Sequence, residues 1–240
     1  MKRLPSIVLL IIATGMLAYL LLPVFEAGRT PSRPRADMPW QITPTTDGSI
    51  TVFGFTLGKS TLRDAVDKLG RSFELGLFRD PDERLSLEAY YKSAMLGGLS
   101  VRLVLIADLS QAALHDLLTH SGEGKRLSTR TEQYPLADAD IAIALAAPIA
   151  ALTYIPYAEF DRELIRQHFG EPAERFSIDS SSDNSGHSSN IVSEHWLYPV
   201  LGLGVSLSQD AGTVLQYLPP RDFERLRKLL TSPSHAQDGE

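Results

Sequence analysis

Residues 191–218 read IVSEHWLYPVLGLGVSLSQDAGTVLQYL, and this stretch decides the fold class. Three short apolar runs, 191–198, 203–207 and 213–218, are separated by Pro199 and by Asp210-Ala211-Gly212. Runs of this length between turn residues predict a meander of antiparallel strands. Trp196 and Tyr198 alternate, so they share one sheet face. Pro219-Pro220 lacks the N–H groups a ladder needs and ends the sheet. A short helix over 222–230 and a polar tail complete the chain.

Upstream of the meander, 180–190 (SSSDNSGHSSN) is a polar low-complexity loop. Before it, Phe160, Leu164, Ile165 and Phe169 recur at helical spacing within 156–169, and Gly170-Glu171-Pro172 closes the helix. The first half of the chain has a comparable order. Thr61-Leu62-Arg63-Asp64 resembles a capping box with Asp in place of Glu. Leu62, Ala65, Val66 and Leu69 then predict a helix that Gly70 stops. Segments 85–91 and 99–107 read as strands around a Gly97-Gly98 turn. Ser110 starts a helix that runs to His120, and 127–134 reads as a further strand. Over 138–151 the chain is apolar and Ala-rich, and period alone does not separate helix from strand. Gly70 and Gly170 lie about one hundred residues apart. The expectation is an α+β fold of two tandem units, each a helix plus an antiparallel meander.

Leu57-Gly58-Lys59-Ser60-Thr61 through Val66 to Leu69-Gly70 resembles the helix motif of the small BamE/SmpA-type outer-membrane-assembly lipoproteins. Phe169-Gly170-Glu171-Pro172 is similar to their Leu-Gly-x-Pro. Trp196-Leu197-Tyr198, with 205–214 after it, resembles their W-x-Y meander. The tandem form is similar to the β-lactamase-inhibitor-protein architecture. The resemblance covers 54–106 and 155–218 and implies a non-enzymatic envelope protein that binds other proteins. One departure stands out: those lipoproteins carry a lipidated Cys, and this chain has no cysteine.

The amino terminus explains how such a domain could be held at a membrane. Residues 4–25, LPSIVLLIIATGMLAYLLLPVF, carry no charge and lie directly behind Met1-Lys2-Arg3. As a helix they would span about 33 Å, enough for a hydrocarbon core of about 30 Å. Phe25 and Glu26 fit poorly at the −3 position of a signal-peptidase site, so an uncleaved anchor is expected. Lys2 and Arg3 favour a cytoplasmic amino terminus and export of the chain beyond the apolar run, while Arg29, Arg33 and Arg35 pull the other way. Residues 28–44 hold four prolines and three arginines and read as a stiff linker. The expected organisation is anchor 1–27, Pro/Arg-rich linker 28–44, a first α+β unit 45–150, a second 151–232 and a flexible tail 233–240. The expected location is the inner (cytoplasmic) membrane, single-pass, with the C-terminal domain periplasmic.

Composition narrows the function. Net charge is −6, and without Lys2 and Arg3 the remaining basic side chains are outnumbered further. That argues against a nucleic-acid partner, which needs a basic footprint. Absence of cysteine removes disulfides, thiol catalysis and Cys-based zinc sites. Gly54-Phe55-Thr56-Leu57-Gly58-Lys59-Ser60-Thr61 has three residues between its glycines, one short of a phosphate-cradling P-loop. His115 and His120 diverge on a helix, and no G-x-S-x-G elbow occurs. Glu159, Asp161 and Glu163 suit the positive end of a helix dipole. No catalytic, cofactor-binding or metal residue is assigned.

The preferred function is therefore a membrane-anchored, exported envelope protein that acts as a protein-binding module. The candidate partner-binding residues are Trp196, Tyr198, Tyr90 and Tyr91, where aromatics on a free sheet face would act as hot spots; the other reading of the Trp196–Tyr198 pair is that it packs in the core. Tyr90 and Tyr91 are adjacent, so one points each way. The alternatives are an envelope hydrolase or lytic enzyme, or a small-ligand sensor domain.

Overall fold

A computed structural model describes residues 37–80, 82–127, 131–181, 190–208 and 212–231. The anchor segment 4–25, the linker up to residue 36, loop residues 182–189 and the tail from 232 lie outside the described residues. Among the described residues no helix is long and apolar enough to cross a membrane.

Thirteen strands and five short α-helices are formed by the described residues. The strands are β1 (Thr43–Pro44), β2 (Ile50–Val52), β3 (Phe55–Thr56), β4 (Glu74–Arg79), β5 (Leu85–Leu96), β6 (Leu99–Ala107), β7 (Lys125–Arg126), β8 (Glu132–Pro135), β9 (Ile149–Pro156), β10 (Glu174–Ser181), β11 (Asn190–Tyr198), β12 (Leu203–Ser208) and β13 (Gly212–Tyr217). The helices are α1 (Leu62–Leu69), α2 (Gln111–His120), α3 (Ile141–Ala146), α4 (Arg162–Phe169) and α5 (Phe223–Thr231).

The structure corrects the expected fold class of two tandem helix-plus-meander units behind a transmembrane helix. The chain is mostly β, with β1-β2-β3 in one small sheet and the other ten strands in one antiparallel sheet, ordered β10-β11-β12-β13-β9-β6-β5-β4-β8-β7. The physical reason lies in β9. Its Leu152 and Tyr154 pair with Leu105 and Leu103 of β6 on one side, and with Tyr217 and Leu215 of β13 on the other. Without β9, both β6 and β13 would present an unpaired ladder edge, an arrangement folded proteins avoid. The apolar segment 138–151, whose period was ambiguous, holds α3 and only the first residues of β9, the strand that merges the two meanders.

Local chemistry explains the helices that flank this sheet. Thr61 Oγ1 accepts from the Asp64 N–H, and Asp64 Oδ2 accepts from the Thr61 N–H at 2.7 Å, so the capping box forms. Asp161 caps α4 by accepting from the Leu164 N–H at 2.8 Å. Caps of this kind contribute about 1 kcal/mol each. The β2–β3 hairpin turns at Phe53 and Gly54, both at positive φ, the geometry of a two-residue primed turn. A phenylalanine there is strained. Its burial offsets the strain, because the ring stacks 5.1 Å from Tyr154 and meets Tyr217 edge-on at 5.6 Å.

One face of the large sheet is fully covered. Leu87, Leu103, Leu105, Leu152, Tyr154, Leu215 and Val205 are buried with Phe53, Phe55, Leu62, Leu114 and Ile165 in one apolar core. The three-stranded sheet, α1, α2 and α4 supply those covering side chains. The opposite face of the same sheet has no such continuous cover among the described residues.

Candidate functional site

Register fixes which residues share a face, because directly paired residues in antiparallel strands project to the same side. Trp196 pairs with Val205, Val205 with Leu215, Leu215 with Tyr154, Tyr154 with Leu103 and Leu103 with Tyr91. All six are buried on the covered face. Tyr198 lies on the same face, in the row of Leu203, Tyr217 and Leu152.

Three of the four sequence candidates are thus core side chains: Trp196 and Tyr91 are 1% exposed and Tyr198 is 5% exposed. The Trp196 indole N–H donates to Glu194 at 2.6 Å, and the Arg175 guanidinium sits 4.7 Å from the ring centroid. Burial would raise the Glu194 carboxyl, but hydrogen bonds from Trp196 and Arg162 hold it below its ordinary range. Tyr198 donates to the Gly170 carbonyl at 3.0 Å, which ties the sheet to the end of α4. Tyr91 stacks on Phe73, and burial pushes its phenol up to about 12. Tyr90 belongs to the other face and is half-buried.

On that other face a second row crosses the sheet: Tyr90, Val104, Thr153, Gln216, Gly204 and Leu197. The neighbouring rows add Ile106 with Ala151, and Arg102 with Ile155. Most of these side chains are half-buried, and many are apolar where an ordinary solvated face would be polar. Helix α5 covers one end, where Phe223 and Leu226 bury Leu197 and pack against Phe176 and Leu218. Between that helix and the bare strands lies a groove of about 340 Å³. Ile106, Ala151, Thr153, Leu226, Asp108 and Arg225 are among the residues that line it.

Among the described residues no three His, Asp or Glu side chains converge to hold a metal. Ser206 Oγ and His195 Nδ1 are 2.9 Å apart, but the imidazole is 8% exposed and stacked under Phe176, which leaves a substrate no approach. Burial lowers the His195 pKa. Glu88, also on the open face, is raised by burial against an opposing hydrogen bond from Ser86.

Sequence reasoning overlooked Arg102, Val104, Ile106 and Ile155. The signal was present in LSVRLVLIA, residues 99–107, where Val104 and Ile106 occupy the positions that alternate with the buried Leu103 and Leu105. A strand apolar on both faces in an antiparallel sheet needs something on each face. No protein-family model, curated protein or solved structure matches this chain.

Proposed function

We propose that this protein is held at a membrane by residues 4–25, with its body exported, and acts by binding another envelope protein on the open face of its ten-stranded sheet. The observation that carries the reading is the set of apolar side chains Val104, Ile106, Ile155 and Val214, which lie half-buried on the face opposite the core. Contiguous apolar surface of this kind marks interaction sites. Tyr90 adds an aromatic ring to the set, a residue type that dominates binding energy at interfaces. The likeness of the helix and W-x-Y motifs to envelope proteins that bind other proteins supports the same class of function.

The groove beside α5 favours a second reading, a small-ligand sensor domain, because its size falls in the range of small-molecule sites. Paired Val104→Lys and Ile155→Lys substitutions separate the two. Under the protein-binding reading, the doubly substituted full chain melts cooperatively and no longer crosslinks, in its native membrane, to the partner that the unaltered chain captures. Capture at the unaltered level with both lysines in place would refute the reading.

A further inference from the structure

We infer that Arg102 is the anchor for a carboxylate, so that the protein bound on the open face presents an acidic side chain flanked by apolar ones. The inference rests on the protein-binding reading of that face. Arg102 projects from β6 on the open side, directly paired with Ile155 of β9. On its other side the ladder is interrupted: β5 and β6 change register between Tyr91 and Ala94, so Lys92 and Ser93 both oppose Arg102. Bulges of this type re-aim side chains and recur beside functional sites.

The arginine is held in place without a carboxylate. Its guanidinium lies 5.7 Å from the Tyr157 ring centroid, and the Tyr157 hydroxyl donates to the Lys92 carbonyl at 2.9 Å. At that distance the ring face attracts the cation and favours its position before any ligand arrives. The Arg102 Nε is buried and has no hydrogen-bond acceptor among the described residues. Arg79, Arg162 and Arg175 all meet carboxylates. Arg102 meets none among the described residues. The acid nearest in register on this face is Glu88, which pairs with Ile106 four positions along β6, about 13 Å away at 3.3 Å per residue. That is too far for an ion pair. A carboxylate arriving at the two terminal guanidinium nitrogens accepts two parallel N–H bonds.

The surroundings select a protein over a lipid. Met95 is 64% exposed and Tyr157 is 57% exposed. Met95 shares a cross-strand row with Ser100, whose carbonyl accepts from the Tyr157 N–H. Arginine, tyrosine and methionine together are the composition of a protein interface core. Anionic headgroups instead call for a cluster of about 4–8 basic residues, and this patch offers Arg102 and Lys92 on a chain of net charge −6.

The test uses the full chain in neutral detergent. The probe is an array of short peptides, each with one Asp or Glu flanked by Leu, Phe or Tyr, and each beside a twin carrying Asn or Gln instead. The expected result is that acidic peptides bind and their amide twins bind about tenfold or more weakly. Arg102→Gln should abolish the difference, and Arg102→Lys should keep part of it. Equal binding of acids and twins by the unaltered chain overturns the inference without any variant having to fold, and leaves the protein-binding reading standing. Retention of the acid preference in Arg102→Gln overturns it likewise. Vesicles of phosphatidylcholine with phosphatidylglycerol run in parallel: Arg102-dependent vesicle binding without peptide binding replaces the proposed partner with a lipid surface. Binding of neither probe removes the underlying reading of the face as well.

Discussion

Tyr90 and Trp196 project from opposite faces of the same ten-stranded sheet. Tyr90 shares its cross-strand row with Val104, Thr153 and Gln216, whereas the row of Trp196 runs through Val205, Leu215, Tyr154 and Leu103 to Tyr91. The two neighbouring tyrosines of β5 therefore divide between core and open face.

This division gives contrasting effects on folding. Trp196→Ala removes a fully buried indole and one of the two donors to the Glu194 carboxylate, so it should cost about 3–5 kcal/mol of stability. Tyr90→Ala should cost about 1 kcal/mol or less, because its ring is already partly in water. Denaturant unfolding of each variant measures both. A small loss at Trp196, or a large one at Tyr90, would mean the faces are reversed.

One buried and one half-buried ionisable group set opposite pH dependences. Burial depresses the His195 pKa below its ordinary value of 6.5. The stability it contributes is complete above about 6.5 and is lost as pH falls toward the depressed folded value, because the unfolded chain takes up the proton first. His195→Gln should flatten the decline in melting temperature between neutral and mildly acidic pH. Glu88 is raised above its ordinary value of 4.5, chiefly by burial. Its contribution is complete in acid and is lost as pH rises through the folded value, so Glu88→Gln should raise the melting temperature at neutral pH and leave it unchanged in acid. Melting curves across the pH range check both signs.

Much of the local structure was legible in the sequence, and the failures have physical causes. The capping box at Thr61, the stop at Gly70 and the three strands of 191–218 form where local pattern puts them, because caps and turn residues act over a few positions. The joining of the two meanders was not legible. Residues 141–156, IAIALAAPIAALTYIP, contain both α3 and β9, and apolar content alone does not say which part becomes a strand. The face of Trp196 was also undecided by alternation. Its neighbours His195 and Leu197 are buried as well, because α5 and Phe176 cover that end of the opposite face. Arg102 was missed because its meaning comes from a bulge on one neighbouring strand and a tyrosine just past the end of another, neither visible from its own segment.

Membrane retention is the consequence expected of residues 4–25. The full chain should stay with the membrane fraction through alkaline carbonate washing, and a reporter fused after Glu240 should be active outside the cytoplasm. A soluble chain beginning near Ala27 would contradict the anchor, and a reporter active only in the cytosol would contradict the orientation.

The central claim, that the open sheet face holds a protein partner, is tested most directly by a photocrosslinking residue placed at Tyr90 of the full-length chain in its native membrane. The control position is His115, exposed on α2 on the covered side of the sheet. A discrete protein adduct is expected from position 90, lost when Val104→Lys is added, and none from position 115. Absence of an adduct at 90, or the same adduct from both positions, would contradict the claim.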